Sequence, residues 1–106
     1  MIMDMRTYLI AAALQGYNLQ ILARDMATSN NYPVCWLAVD YNSSAWVYDA
    51  APTQGNRGET WACDRDDGSV FFGWCIFNGF GVTATDDPAE FMQIDNWREL
   101  VMEVSL

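Results

Sequence analysis

Carboxylates are the only abundant side chains in this sequence that could carry acid–base or metal chemistry. The 106 residues include 14 aspartates and glutamates, no histidine, and 5 basic residues that are all arginine. The chain therefore lacks the side chain best suited to proton transfer near neutral pH, and it lacks the lysine of Schiff-base and P-loop sites. We predict a protein that is not an enzyme. At this density acids form pairs by chance, so a pair of carboxylates is weak evidence for catalysis. A small carboxylate-dependent hydrolase is an alternative that requires two acids facing one another in a deep pocket.

The sequence does not have the spacing of a metal or cofactor site. Asp64 and Asp66 begin a stretch that superficially resembles a calcium loop, but Gly68 falls one position early and no glutamate completes the loop. The three cysteines, Cys35, Cys63 and Cys75, have no histidine to complete a zinc site. We expect no cofactor and no metal, and we expect the thiols to be reduced and buried.

Three groups of acids are candidate partner-binding residues. Asp95, Glu99 and Glu103 recur every fourth residue, which on a helix places them along one side in steps of about 6 Å. Such a stripe weakens its own helix by about 0.2–0.5 kcal/mol per like-charged pair, and a positively charged partner would reverse that repulsion. The step is also near the phosphate spacing of DNA, so the stripe could mimic DNA. The second group comprises Glu59, Asp64, Asp66 and Asp67, and the third comprises Asp86, Asp87 and Glu90.

Net charge indicates the class of partner. The formal charge of −9 exceeds the magnitude of about 2 to 8 that is usual for a small domain. Such a field repels nucleic acid and anionic membranes, and it speeds encounter with basic surfaces. We therefore expect no direct nucleic-acid or membrane partner, but a basic protein surface, which could belong to a nucleic-acid-binding effector complex. The apolar run from Tyr8 to Leu14 is too short to span a bilayer, so a soluble cytoplasmic protein is predicted.

The first half of the chain predicts two helices followed by a β-hairpin. Residues 4–15 form a helix that Asp4 caps and Gly16 ends. Residues 18–27 fit a second helix, which would complete a helical hairpin, although a strand is the alternative. Residues 34–41 and 45–49 are apolar and alternate, which predicts two antiparallel strands.

The second half predicts the centre of the sheet and a closing helix. Residues 59–64 and 69–78 form two strands around the acidic turn at Asp64, Asp66 and Asp67, and the second of them is expected to be a central strand. Asn78-Gly79 predicts another hairpin turn, and a short strand over 80–85 would follow it. Asp87 would then cap a helix whose apolar face extends from Phe91 to Val104; alternatively, Asp95-Asn96 interrupts it, and Asp95 caps a second, shorter helix through Met102.

These elements predict a single α+β domain over residues 1–106. It has an antiparallel sheet of four to five strands, an N-terminal helix or helical hairpin, and a C-terminal helix packed on one face. With five tryptophans in the chain, we also expect at least one to be exposed and available to a partner.

In size and charge the chain is similar to phage-encoded inhibitors of bacterial defence, such as anti-CRISPR proteins. The resemblance rests on size and charge alone, because those proteins share no common fold. It implies a phage protein that works inside a bacterial host by blocking the guide-RNA or target-DNA channel of an effector complex. The alternative is a structural or assembly subunit that forms a homodimer through an aromatic sheet face, with its acids serving solubility.

Overall fold

The computed structural model describes residues 1–54, 60–82 and 90–106, which form an α+β fold. The helices and strands in order are α1 (Met5–Leu14), α2 (Leu19–Ser29), β1 (Cys35–Val39), β2 (Ala45–Tyr48), β3 (Thr53–Gln54), β4 (Trp61–Asp64), β5 (Val70–Phe71), β6 (Trp74–Phe77), β7 (Gly81–Val82), β8 (Glu90–Phe91), a 3₁₀ turn (Trp97–Glu99) and β9 (Val101–Val104). Every pair of hydrogen-bonded strands is antiparallel.

The helical hairpin is confirmed, and its ends follow from local sequence. The Asp4 carboxylate accepts a hydrogen bond from the Thr7 amide at 2.7 Å, and Asn18 caps α2 in the same way. Gly16, with φ of +93°, ends α1 in a Schellman motif whose two bonds run back to the carbonyl groups of Ala13 and Ala12. Glycine suits this position because its conformation is left-handed.

A four-stranded sheet in the order β6-β2-β1-β9 forms the centre of the fold. Helix α2 contacts all four strands and buries Ala23 and Ala27, whose small side chains allow close approach to the sheet. In β1, Leu37 and Val39 are fully buried, as is Val47 opposite Leu37 in β2. The predicted hairpin of β1 and β2 is confirmed, and these two strands are the central ones.

Two tryptophans connect the small sheet β3-β4-β5 to the rest of the core. Trp61 in β4 packs edge-to-face against Trp97 of the 3₁₀ turn, with ring centroids 5.7 Å apart. The Trp61 indole N–H donates to the Val39 carbonyl oxygen at 2.9 Å, so its polar group is satisfied although the side chain is buried. The Tyr48 hydroxyl of β2 reaches the Trp61 carbonyl oxygen at 3.0 Å.

The central strand predicted over 69–78 is wrong. Gly73, with φ of +86°, interrupts it, so that β5 pairs with β4 while β6 pairs with β2 at the edge of the four-stranded sheet. The period-two pattern continues through Gly73, but a left-handed residue turns the chain out of one sheet and into the other. The hairpin predicted at Asn78-Gly79 is also wrong, because β6 and β7 belong to different sheets.

The C-terminal helix is wrong as well. Within residues 90–106, Glu90–Phe91 forms β8, only Trp97–Glu99 is helical, and Val101–Val104 forms β9, which pairs with β1. The buried positions Ile94, Trp97 and Leu100 recur every three residues, a spacing that a 3₁₀ turn satisfies as well as an α-helix does. The predicted cap at Asp87 and residues 83–85 of the strand predicted over 80–85 lie outside the described residues; Gly81–Val82 is a strand.

Candidate protein-interaction surface

The predicted helical stripe of Asp95, Glu99 and Glu103 does not form, because the three residues do not lie on one helix. Asp95 lies before the 3₁₀ turn with its carboxylate 2.6 Å from the Met1 amino group, and Glu99 accepts a hydrogen bond from the Asn96 amide at 2.9 Å. Glu103 lies on β9. Between Glu99 and Glu103 the chain passes from the 3₁₀ turn into extended strand, so the three residues do not share a helix face.

The acidic turn, which we define as Asp64, Asp66 and Asp67, is confirmed as the link of a β-hairpin. Asp64 ends β4, all three side chains are exposed, and the Arg65 amide donates to the Ser69 carbonyl oxygen at 2.9 Å. The Asp67 carboxylate accepts hydrogen bonds from the Ser69 hydroxyl at 2.6 Å and the Ser69 amide at 2.9 Å. These bonds hold the pKa of Asp67 below its ordinary value, so the carboxylate is charged.

Arg65, in the middle of this turn, does not neutralise it. Its Nη1 atom lies 2.8 Å from each carboxylate oxygen of Asp49, which is partly buried. Its guanidinium group also stacks over the Phe71 ring, 4.5 Å from the centroid. Arg65 is therefore held by Asp49, and within the described part of the chain neither Asp64 nor Asp66 forms an ion pair. Negative charge on the turn is left to face solvent.

An exposed apolar surface adjoins the acidic turn. Val70, Phe72 and Trp74 are 45%, 48% and 50% exposed, and we call these three residues the aromatic corner. Val70 lies directly opposite Asp64 in the β4–β5 pairing, so carboxylate and apolar surface are neighbours. The exposed Trp74 confirms the prediction that at least one tryptophan is accessible.

The backbone of the aromatic corner is held firmly in place. A Cβ atom on Gly73 would lie 2.8 Å from Cζ of Tyr48, so the ring packs directly against the glycine. The Tyr48 hydroxyl also lies 3.1 Å from the Phe72 carbonyl oxygen, and burial raises the pKa of Tyr48 well above its usual range, so the hydroxyl keeps its proton. Phe72 and Trp74 are thus presented on a fixed backbone, which lowers the entropy lost on binding.

Glu59, Asp86 and Asp87 lie outside the described residues. Glu90 lies in β8 opposite Val82 of β7. Of the predicted partner-binding residues, the structure thus brings together Asp64, Asp66 and Asp67.

The three cysteines are free thiols, and the exposure of one of them differs from the prediction. Cys35 and Cys63 are buried as predicted, whereas Cys75 on β6 is exposed. Partial burial raises the pKa of the Cys75 thiol, which favours the unreactive protonated form. Within residues 1–54, 60–82 and 90–106, no three cysteine, aspartate or glutamate side chains converge as metal ligands would.

Sequence reasoning missed the exposure of Phe72 and Trp74, which it placed in a central, covered strand. The signal that could have revealed it is Gly73, because a glycine inside a strand pattern often marks a break or a close backbone approach. Trp61 and Trp97, by contrast, are nearly fully buried. The spacing of residues in the sequence does not distinguish the buried tryptophans from the exposed Trp74.

Comparisons with protein-family models, with curated proteins and with solved structures find no match to this chain. The acidic turn and the aromatic corner are therefore the features that indicate a function.

Proposed function

We propose that this protein is a non-enzymatic binding protein that covers a basic surface on a larger protein. The observation that carries the proposal is the juxtaposition of an exposed acidic turn with apolar surface: Val70 lies directly opposite Asp64, and the half-exposed Phe72 and Trp74 follow it within four residues on a backbone packed against Tyr48. Carboxylates would meet arginine or lysine side chains of the partner, and Phe72 and Trp74 would fill apolar recesses between them.

The two halves of the surface contribute differently to affinity. Exposed ion pairs are worth about 0.2–1 kcal/mol each, so the three carboxylates of the acidic turn supply steering and about 1–2 kcal/mol together. A buried tryptophan at the centre of an interface typically costs about 2 kcal/mol or more when it is truncated. Trp74 and Phe72 would therefore carry most of the affinity, and the acids would select a basic partner.

Steric and electrostatic blockade is the mechanism that follows from such a surface. If the covered surface normally binds nucleic acid, the protein competes with phosphates for the same arginine and lysine side chains, in the manner of phage-encoded anti-defence inhibitors. The chain is proposed to do this in the cytoplasm of a host cell. None of the described helices combines the length and apolar character needed to cross a membrane.

Two charge-matched triple variants test the location of the surface. Asp64→Asn, Asp66→Asn and Asp67→Asn remove three charges from the acidic turn, while Asp95→Asn, Glu99→Gln and Glu103→Gln remove three charges elsewhere. The probe is a fluorescent nine-arginine peptide, titrated at low and high ionic strength. We expect the turn variant to weaken binding by about tenfold and the control variant by about twofold or less.

A double variant, Phe72→Ser with Trp74→Ser, measures the aromatic contribution against proteins captured by the wild type from a bacterial lysate. Loss of the captured proteins, with the fold intact by circular dichroism, supports the proposal. Equal weakening of peptide binding by the two triple variants would show that net charge alone, and no particular surface, is responsible.

Self-association is the second candidate function, favoured by the half-exposed Trp74. A structural subunit of this kind would form a homodimer through the aromatic corner, and high salt would strengthen it by screening the like charges of the two copies. Sedimentation velocity at low and high ionic strength distinguishes the two functions. A monomer that captures basic proteins supports the first function, and a salt-resistant dimer that Trp74→Ser dissociates supports the second.

A further inference from the structure

Strand β6 presents an uncharged edge that contains one bulge. It pairs with β2 on one side, and among the residues described no strand pairs with its other side. Its sequence, Trp-Cys-Ile-Phe, contains neither the charge nor the proline with which proteins usually guard an edge. The register with β2 shifts beside Ile76, which makes this residue an extra one in the strand but leaves the edge uncharged. Within the described residues, the backbone groups on this side therefore have no strand partner.

A groove runs along this edge, between β6 and α2. A cavity of about 380 Å³ is lined by Leu22, Asp25, Met26, Ser29, Cys75 and Ile76. A second cavity, of about 220 Å³, shares Cys75 and Ile76 and extends the groove towards Tyr17 and Asn78. Tyr17 and Leu22 are substantially exposed for apolar side chains. An extended chain laid beside β6 would place every second side chain in this groove.

The charges around the groove select its occupant. Asp25 is the charged residue in its lining, and the neighbouring Arg24 points to the opposite edge of the sheet, where its Nε atom donates to the Ser105 carbonyl oxygen at 2.9 Å. A second copy of the chain would bring a further formal charge of −9 to the same place. A segment with arginine or lysine would instead bring the complementary charge.

We propose that the α2–β6 groove binds an extended basic segment of the partner protein by strand addition. The segment would hydrogen-bond to the free edge of β6, place alternate apolar side chains against Leu22 and Ile76, and hold a basic side chain near Asp25. This inference rests on the proposed preference for a basic partner. It adds a second contact, separate from the acidic turn, through which a flexible tail of the partner is held.

A peptide of seven alternating arginine and valine residues, blocked at both ends, is the probe. Its matched control has the same sequence with the internal backbone nitrogens methylated, which keeps every side chain and charge but removes the donors a strand needs. We expect the methylated peptide to bind about tenfold more weakly or worse. We also expect the unmethylated peptide to slow hydrogen exchange of amides within Trp74–Phe77 by about tenfold.

Two single substitutions test whether Asp25 supplies the negative charge that binds the peptide. Asp25→Asn should weaken binding of the unmethylated peptide by about threefold. Glu103→Gln removes the same charge at the opposite edge of the sheet and should leave the affinity for this peptide within about twofold of the wild-type value. Both side chains are exposed, so both variants are expected to fold.

The outcomes separate this inference from the proposed function. Equal binding of both peptides, or unchanged exchange in β6, overturns strand addition, and if the turn variant still loses peptide affinity the proposed function stands. If β6 amides are protected without peptide and the protein sediments as a dimer, a second copy covers the edge and the inference is wrong. If neither Asp25→Asn nor the turn variant affects the peptide, both proposals fail.

Discussion

Neutralising the buried carboxylate of Asp40 should stabilise the protein near neutral pH. Asp40 follows β1 and is only 6% exposed. Its Oδ1 atom accepts one hydrogen bond, from the Trp61 amide at 3.1 Å. Desolvation outweighs this bond and raises the pKa of Asp40 from 3.8 to about 6. Asp40→Asn keeps the acceptor for Trp61 and removes the charge.

The sign and size of the effect follow from proton binding. Because the folded state holds the proton more tightly than the unfolded state, the free energy of unfolding falls as pH rises from 3.8 to about 6. At 1.36 kcal/mol per pKa unit, that interval costs the wild type about 3 kcal/mol at pH 7. Below pH 3.8 both states carry the proton, and the cost disappears.

Urea unfolding followed by tryptophan fluorescence, repeated between pH 3.5 and 8, measures this difference. The stability of Asp40→Asn minus that of the wild type should rise with pH by about 3 kcal/mol and level off above pH 7. Any fixed effect of the new amide group shifts the whole curve but not its slope. A flat or falling curve for Asp40→Asn would refute the reasoning.

Two further substitutions test the contacts that shape the core and the aromatic corner. Gly73→Ala should lower the free energy of unfolding by about 2 kcal/mol or more, because its φ of +86° disfavours a side chain and its Cβ would overlap the Tyr48 ring; a loss below about 0.5 kcal/mol in urea titrations would contradict the geometry. Trp61→Phe should cost about 2–4 kcal/mol by calorimetry, because it leaves the Val39 carbonyl oxygen without its donor and opens space beside Trp97; an unchanged Tm would show that the indole bond contributes nothing.

Local chemistry made much of the fold predictable. Asp4 and Gly16 mark the ends of α1 because capping and left-handed geometry depend on a few neighbouring residues. The acidic turn is predictable for the same reason, since Asp67 and its neighbours form their turn bonds within a few positions. Of the candidate site, the sequence therefore supplied the charged half.

The exposure of the aromatic corner could not be predicted from the alternation of apolar residues in the sequence. Phe72 and Trp74 alternate as a covered strand would, and only the paths of the chain before and after Gly73 decide that they face solvent. The spacing of Asp95, Glu99 and Glu103 fits an α-helix, yet this part of the chain forms a 3₁₀ turn followed by the strand β9.

The sequence by itself determined the charge, the missing histidine and lysine, the first helix, the first hairpin and the acidic turn, and it favoured the second helix over a strand. All of these follow from composition or from contacts between near neighbours in the chain. Only the tertiary structure decided that Val101–Val104 completes the sheet beside β1, that Gly73 divides one strand between two sheets, and which tryptophans are exposed. These outcomes depend on backbone hydrogen bonds and packing between segments far apart in sequence, and those contacts outweigh local helix preference when they bury more apolar surface.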